Sequence, residues 1–237
     1  MSQFADCRIV LVRPRNPLNI GAAARAMANF GFRDLVVVEP YEPAWREARS
    51  AIGAASVLAS ARAVASLGEA VAERTLVVGA TSGSRRVLGA RGDLLSLSEL
   101  PVRAARAGKV ALLFGSEKTG LTNEHLSFCH LLVRIPTAPD CPSMNLAQAV
   151  AVCCYEWRRA PPALSTQARA AAAPVGEIEQ LRQEVEEVLR AAGYFPSPPR
   201  PSDSRKLRLL LLRLNPSSRD LAVLRGMVAQ LRWKLRL

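Results

Sequence analysis

The chain is 237 residues long, 49% of its residues are hydrophobic, and it carries a formal net charge of +12. This composition excludes a largely disordered chain, and no segment approaches the roughly 18 consecutive apolar residues that a membrane helix needs. The start of the sequence has no basic segment followed by an apolar stretch and a cleavage site, so we expect a cytoplasmic protein. The positive charge favours a polyanionic partner, for which nucleic acid is the first candidate.

The first two-thirds of the chain alternates short apolar runs with segments of helical length. The runs are Ile9 to Val12, Leu35 to Val38, Leu76 to Val78, Val110 to Phe114 and Leu131 to Ile135. Continuous apolar runs of this kind predict strands of a parallel sheet that are buried on both faces. The fold class is therefore α/β, a parallel sheet with helices on both faces.

The helices predicted between and after these strands are Ile20 to Phe30, about Leu67 to Glu73, about Ser96 to Ala107 and Leu146 to Arg158. Asn145 is the predicted N-cap of the last helix, because an asparagine side chain accepts hydrogen bonds from the free amides of a first turn. Residues 1–160 are thus predicted to form one α/β domain.

After Arg159 the composition changes to an Ala- and Pro-rich stretch, and we interpret residues 161–176 as a linker. Residues 177–237 are predicted to form a helical extension. Its helices are Glu177 to Ala192 with Gly193 as the stop, Arg205 to Leu214, and a last basic helix that begins at Ser217 or Ser218 and ends near Leu235. Residues 200–237 hold ten basic and two acidic residues, a local charge of +8. This extension is either an RNA-binding surface or a solvated or dimer-facing one.

Three loops at the carboxyl ends of predicted strands carry the candidate functional residues, because open α/β sheets bind ligands at that edge. The first reads RPRNPLNIGAAARA and places Asn19, Gly21 and Arg25 at the start of a helix. Gly21 and Arg25 are four residues apart and share one helix face. Taken alone, this segment fits equally well a tightly packed helix with an exposed arginine.

The second loop, LLFGSEKTGLT, contains Gly115 and Gly120, where the absence of a side chain lets the backbone approach a ligand closely. It is not a P-loop, because Leu121 stands where that motif requires lysine, and no GxGxxG follows the first strand. The third loop, RIPTAPDCPSMNLAQAV, is Pro-rich and leads into the helix capped by Asn145.

Neither a metal site nor a disulfide framework is predicted, because the cysteines lack CxxC spacing and the two histidines lack a partner at ligand spacing. We expect reduced and mostly buried thiols. The cysteines are Cys7, Cys129, Cys141, Cys153 and Cys154.

Taken together, NIGAAARA, LLFGSEKTGLT and IPTAPDCPSMNLAQAV resemble the three motifs of the SpoU or TrmH branch of SPOUT RNA methyltransferases, over nearly all of residues 7–159. The extension, IEQLRQEVEEVLRAAGYF followed by RKLRLLLLRLNPSSRDLAVLRGMVAQL, resembles that of the TrmJ group in this branch. The resemblance implies a C-terminal trefoil knot in the sheet, although topology rules from sequence alone favour an unknotted one. It also implies S-adenosylmethionine-dependent 2′-O-methylation of a ribose in tRNA, at the pyrimidine of anticodon-loop position 32.

The resemblance also assigns roles to particular residues. Those that fall on the motifs are Asn19, Gly21 and Arg25 on the first, Phe114, Gly115, Glu117, Gly120 and Leu121 on the second, and Ser143, Asn145 and Leu146 on the third. The implied catalytic residues are Arg25, Asn19 and Ser143. The implied cofactor-binding residues are Ala80, Thr81, Ser82, Gly115, Ile135, Pro142, Ser143 and Met144. A guanidinium is a poor base, so we expect Arg25 to clamp the target and stabilise negative charge, with Ser143 as an alternative proton relay.

A tRNA partner and a homodimer, with neither a membrane nor a structural metal, are further implications of the resemblance. The helix from Leu146 to Arg158, with one side formed by Ala147, Val150, Ala151 and Cys154, is either a dimer contact surface or packed in the core. The alternatives in function are another tRNA or rRNA site, or a non-catalytic RNA-binding SPOUT protein. A DNA-binding regulator with residues 217–235 as recognition helix is a third, although the apolar stripe Leu221, Leu224, Val228 and Leu231 indicates packing.

Overall fold

The computed structural model describes residues 6–50, 55–82, 94–160, 172–196, 198 and 200–236. Within these ranges the chain forms a seven-stranded sheet in which every neighbouring pair is parallel. The strands are β1 (Asp6–Val12), β2 (Asp34–Val38), β3 (Arg62–Val64), β4 (Leu76–Ala80), β5 (Leu94–Ser96), β6 (Lys109–Phe114) and β7 (Leu131–Arg134). Their order across the sheet is β3-β2-β1-β6-β4-β7-β5.

The five strands predicted from apolar runs are all present, and they form the centre of the sheet. The two edge strands, β3 and β5, were not predicted. Each has three residues, and exposed residues such as Arg62 and Leu94 interrupt any apolar run. Short edge strands of this kind lack the pattern that burial on both faces imposes.

The helices in the described ranges are α1 (Pro17–Asn29), α2 (Glu42–Ser50), α3 (Ala55–Ser60), α4 (Leu67–Val71), α5 (Leu100–Ala107), α6 (Asn123–Ser127), α7 (Leu146–Arg159), α8 (Val175–Ala191), α9 (Pro201–Leu214) and α10 (Ser218–Leu235). The short α2, α3 and α6 were not predicted, and the segment Ser96 to Ala107 divides into a 3₁₀ turn and α5. None of these helices is long and apolar enough to cross a bilayer.

The helix ends follow the capping chemistry of the sequence. Asn16 caps α1 by accepting from the Leu18 amide at 2.9 Å, and a proline occupies the first helical position. The Asn145 side chain accepts from the amides of Ala147 and Gln148 at 2.9 and 3.3 Å, so the predicted N-cap of α7 is confirmed.

Two hydrophobic cores lie on opposite faces of the sheet. One is built by α1, α2, α3, α5 and α7, and the other by α4, α6, α8, α9 and α10. In the second core, Ile178, Leu181 and Leu221 of the extension are buried together with Val10 and Val36 of the central strands. The extension therefore covers one face of the sheet, which parallel strands need because both faces are apolar.

The extension differs from its predicted form at two points. The helix α8 begins at Val175, inside the predicted linker, and Ala173 and Val175 are both buried, while residues 161–171 lie outside the described ranges. Along α10, Leu221 and Val228 are buried whereas Leu231 is 52% exposed. The apolar stripe therefore packs in the core through most of its length, which speaks against a free recognition helix.

The face of α7 that contains Ala147, Val150 and Cys154 is buried within the chain, where α7 packs against α1. Core packing is therefore confirmed for these three residues, while Ala151 on the same side is half-buried. The dimer contact stays a prediction. Burial raises the pKa of Cys153 to about 12. The cysteines are free thiols, all buried except Cys141, as expected.

Candidate functional site

The four central strands bring the predicted loops to one edge of the sheet. β1 pairs with β6, β6 with β4, and β4 with β7, all in parallel. The segments that leave their carboxyl ends, which begin at Arg13, Gly115, Thr81 and Ile135, therefore lie side by side. This is the edge at which open α/β sheets bind ligands.

A chain of hydrogen bonds joins the three motif segments at this edge. The buried Asn19 side chain donates from Nδ2 to Glu117 Oε1 at 2.9 Å, and its Oδ1 accepts from Asn145 Nδ2 at the same distance. Asn145 meanwhile caps α7 with its own Oδ1. Each amide is thus used as both donor and acceptor, which fixes its orientation.

The Glu117 carboxylate is the acceptor around which the first loop folds. Besides Asn19, it accepts from the backbone amides of Arg15 at 3.1 Å and Asn16 at 3.2 Å. Partial burial acts to raise the pKa of this carboxyl, but the hydrogen bonds outweigh it and the pKa lies below its ordinary value. Glu117 is therefore ionised at neutral pH and acts as a fixed acceptor rather than as a proton donor.

The second loop closes so tightly that only glycine fits at its start. A Cβ atom on Gly115 would lie 2.0 Å from the carbonyl carbon of Gly120 and 2.2 Å from the amide nitrogen of Leu121. Gly120 itself has a positive φ of 64° and donates its amide to the Ser116 carbonyl at 2.9 Å. The loop is a cradle with its backbone groups close to the strand end.

The residues predicted to bind a cofactor are accessible along this edge. Ala80, Thr81, Gly115, Ile135 and Met144 are half-buried, and Ser82, Pro142 and Ser143 are exposed. The segment after β4 is joined to β7, since the Thr81 amide donates to the Val133 carbonyl at 3.0 Å. The third loop is braced by Thr137 Oγ1, which donates to the Pro142 carbonyl at 3.3 Å.

Arg25 lies on the exposed face of α1, in line with Leu18, Ala22 and Asn29. Within the described ranges its guanidinium has neither a hydrogen bond nor an ion pair. It differs in this respect from Asn19, which is buried and held on both sides. Of the predicted catalytic residues, Asn19 belongs to the hydrogen-bonded chain, whereas Arg25 and Ser143 are exposed.

The roles of Glu117 and Asn145 as connectors were missed, although both fall on the motifs. The sequence around Glu117 gives no sign of which distant amides its carboxylate accepts from. The sequence also gives no sign of two strained residues at this edge. Arg13 and Glu39 have positive φ values of 55° and 45°, and their side chains form an ion pair at 3.5 Å. Such conformations cost about 1 kcal/mol or more and concentrate at functional sites.

Comparisons with known proteins find relatives over nearly the whole chain. The model of the SpoU rRNA Methylase family matches residues 6–155. The chain is 38% identical to the tRNA (cytidine/uridine-2′-O-)-methyltransferase TrmJ of Klebsiella pneumoniae, over 95% of this chain and 96% of that protein. The crystal structure of TrmJ from Z. mobilis superposes with a TM-score of 0.84 at 34% identity, covering 96% of this chain and all of that one. An AdoMet-bound rRNA methyltransferase from Sinorhizobium meliloti has 25% identity and a TM-score of 0.52, covering 67% of this chain and 58% of that one.

Proposed function

Because the chain belongs to the SpoU rRNA methylase family, we propose that it transfers the methyl group of S-adenosylmethionine to a ribose 2′-hydroxyl of tRNA. The observation that carries this proposal is the bond chain Glu117–Asn19–Asn145, in which Asn19 is the central member and three loops are joined at the ligand-binding edge. Relatives that match over nearly the full length, and that are named as tRNA 2′-O-methyltransferases, support tRNA as the substrate.

The residues at the edge fit S-adenosylmethionine. The backbone cradle between Gly115 and Leu121, which any side chain at Gly115 would fill, leaves amides and carbonyls for the polar parts of the cofactor. The half-buried Ile135 and Met144 provide apolar surface for its adenine. Ala80, Thr81, Ser82, Pro142 and Ser143 complete the proposed binding set, and the cofactor supplies an electrophilic methyl group on a sulfonium.

Arg25 is proposed to bind the substrate rather than to remove its proton. A guanidinium has a pKa above about 12 and does not deprotonate in proteins. Its freedom from partners within the described ranges leaves its donors available for the phosphate or the developing negative charge at the 2′-oxygen. The exposed hydroxyl of Ser143 is the proposed relay for the released proton.

We further propose that the target is the pyrimidine at position 32 of the anticodon loop, splayed out so that its ribose reaches the loops. The family's description as rRNA methylases supplies a second candidate, a ribose in rRNA. A tRNA-modifying enzyme works where tRNA is found, so the proposed location is the cytoplasm.

The proposed homodimer needs a surface other than the buried face of α7. The outer face of α1 is the candidate, because Leu18 is 75% exposed there beside Ala22 and Arg25. The exposed Tyr155 of α7 extends this surface, since its ring contacts Phe30 just beyond α1 edge to face at 6.0 Å. Sedimentation of the Leu18→Arg variant as a monomer, against a dimeric parent protein, is the expected result; unchanged sedimentation would contradict this interface.

The proposed function is tested by incubating the protein with isotope-labelled S-adenosylmethionine and total tRNA, and separately with rRNA. We expect a 2′-O-methylated pyrimidine at position 32, mapped by mass spectrometry of nuclease fragments. Labelling of rRNA alone would favour the second candidate, and binding of RNA with no labelling would favour the non-catalytic alternative.

The role of Arg25 is tested with Arg25→Ala, and the exposed Arg33 at the opposite edge provides a matched control, Arg33→Ala. We expect methyl transfer to fall by about a thousandfold, because a charge-stabilising donor contributes several kcal/mol to a transition state. Cofactor affinity should stay within about threefold of the parent value. An equal loss of cofactor affinity and transfer would mean that Arg25 is structural.

A further inference from the structure

Arg208 of α9 is a buried cation that connects the helical extension to the α/β domain. It is 5% exposed, and its Nε and Nη2 donate to the two carboxylate oxygens of Glu179 on α8 at 2.6 and 3.2 Å. From the other side its Nη1 donates to Glu124 on α6 at 2.8 Å and to the Ser127 hydroxyl. The guanidinium also lies over the ring of Phe128, 3.9 Å from its centre.

This arrangement satisfies the guanidinium on both sides and leaves it little freedom. A planar guanidinium bonded to both oxygens of a carboxylate and stacked on an aromatic ring has a fixed orientation, which lysine cannot reproduce. Because the guanidinium is buried, removing it or one of its carboxylate partners costs more than breaking an exposed ion pair. Arg208 therefore holds α6 in a defined position against α8.

The helix α6 is directly continuous with the cradle of the candidate cofactor site. Thr122 caps α6 by accepting from the His125 amide at 3.3 Å, and Leu121 precedes it with its amide against Gly115. At its other end, Cys129 packs so closely on β4 that a Cβ on Gly79 would lie 2.9 Å from its sulfur. A shift of α6 would therefore move both the Gly115–Leu121 cradle and the end of β4.

We propose that Arg208 is a positioning residue for the cofactor cradle: through Glu124, Ser127 and Phe128 it fixes α6, so that the C-terminal extension sets the affinity for S-adenosylmethionine. Arg208 can act in this way only if the proposed function holds. The extension then contributes to cofactor binding without supplying an atom that touches the cofactor.

Another arginine of the extension offers a matched control. Arg225 of α10 binds Gln180 Oε1 at 2.6 Å and lies 3.6 Å from Glu184 on α8, so it joins two helices of the extension and, in the described contacts, does not reach α6. Removing it tests the stability of the extension alone. Glu124, which is 51% exposed, allows the contact to be cut from the α6 side with little risk to folding.

The test is equilibrium binding of S-adenosylhomocysteine, measured by calorimetry on the full chain without RNA. We expect Arg208→Gln to weaken binding by roughly tenfold, Arg208→Lys by an intermediate factor and Glu124→Gln by roughly threefold, whereas Arg225→Gln stays within about twofold. Hydrogen exchange in residues 115–121 of the ligand-free protein should accelerate in the first three variants only. The rate of transfer at saturating cofactor should change much less than the cofactor KM.

Equal affinities in all four variants, with only the melting temperature lowered, would overturn the proposal and leave Arg208 as a structural contact. Should Arg208→Gln fail to fold, Arg208→Lys and Glu124→Gln decide the matter in the same way. Absence of cofactor binding by the parent protein would overturn the proposed function itself, and this inference with it. Binding that weakens only in the Arg208 and Glu124 variants supports the positioning role whichever RNA is methylated.

Discussion

The two edges of the sheet use polar side chains in opposite ways. At the amino-terminal edge, the buried Arg74 binds Asp6 Oδ1 at 2.6 Å and Asp34 Oδ2 at 3.3 Å, while the buried Arg8 binds Asp34 at 2.8 Å. At the carboxyl-terminal edge, the neutral amide of Asn145 donates to that of Asn19, which in turn donates to the Glu117 carboxylate.

The difference lies in what is left available to a ligand. The guanidinium groups of Arg8 and Arg74 are buried and bound to carboxylates of neighbouring strands, so the loss of either one would destabilise the fold. At the other edge the side chains orient loops whose backbone groups and exposed residues, such as Arg25 and Ser143, remain accessible. Variants at the first edge should therefore change the free energy of unfolding, and variants at the second should change ligand binding.

Arg74→Met is expected to have the largest effect on stability. Arg74 is 2% exposed, and its loss leaves Asp6 without its buried counter-ion and Asp34 with Arg8 alone. Because both carboxylates keep some contact with water, we expect a loss of about 3 kcal/mol in the free energy of unfolding, measured by urea titration. The exposed Arg33 supplies the control Arg33→Met, with a change of no more than about 0.5 kcal/mol. A large loss of cofactor affinity in folded Arg74→Met would break the distinction between the edges.

Gly115→Ala is expected to have the largest effect on ligand binding. The added methyl group would overlap the backbone of Gly120 and Leu121, so the cradle must open. We expect at least about a 100-fold loss of affinity for S-adenosylhomocysteine, close to 3 kcal/mol. Gly226→Ala in α10, where a Cβ meets nothing within 4 Å, is the matched control and should bind normally. Unaltered binding by Gly115→Ala would exclude this cradle as the cofactor site.

His130, which directly precedes β7, should make the free energy of unfolding depend on pH. Burial lowers its pKa to about 4, and its Nδ1 must stay unprotonated to accept from the Val77 amide at 3.0 Å. As the pH falls from about 6.5 towards 4, His130 becomes protonated in the unfolded chain but stays neutral in the folded chain, so the free energy of unfolding decreases.

The expected decrease is about 2 kcal/mol, less than the full shift would give because the residue is only half-buried. Urea titrations of the parent and of His130→Asn at several pH values measure it. The variant should lose this part of the pH dependence. An identical slope in both proteins would show that His130 is protonated equally in the folded and unfolded chains.

Asn19→Ala should give the smallest effect of the series and tests the chain of bonds itself. Its loss removes one bond to Glu117 and one to Asn145, and we expect about a tenfold lower affinity for the cofactor and about 1 kcal/mol of lost stability. Asn29→Ala, at an exposed position at the end of the same helix, is the control. A loss of stability with full cofactor affinity would assign Asn19 to the core instead.

The sequence predicted the longer elements, whose burial and caps leave a pattern, and it missed the short ones. Apolar runs such as Val110 to Phe114 indicate the central strands, and Asn145 is recognisable as a cap by its residue type and position. The edge strand at Arg62 is too short to form an apolar run, and the five-residue helix after Thr122 has a cap but is too short to show helical periodicity. The face of α7 was apolar enough for either core or interface, because both environments select the same residues.

At the site, the motifs identified which loops matter but not how they are joined. The three segments are linked by side-chain amides whose partners depend on the tertiary fold. The bond from Asn19 to Glu117 spans 98 positions of the chain, and the bond from Asn145 to Asn19 spans 126. Arg208 is a similar case, since a basic helix in a +8 segment suggests a charged surface rather than a buried contact.

The central claim is that separate loops at one edge form a single cofactor site, and hydrogen–deuterium exchange with and without S-adenosylhomocysteine tests it most directly. We expect amides in residues 79–82, 115–121 and 135–144 to be protected together at the same ligand concentration, while amides around Arg8 and Arg74 keep their rates. Protection confined to one of these segments, or found only elsewhere in the chain, would contradict the account.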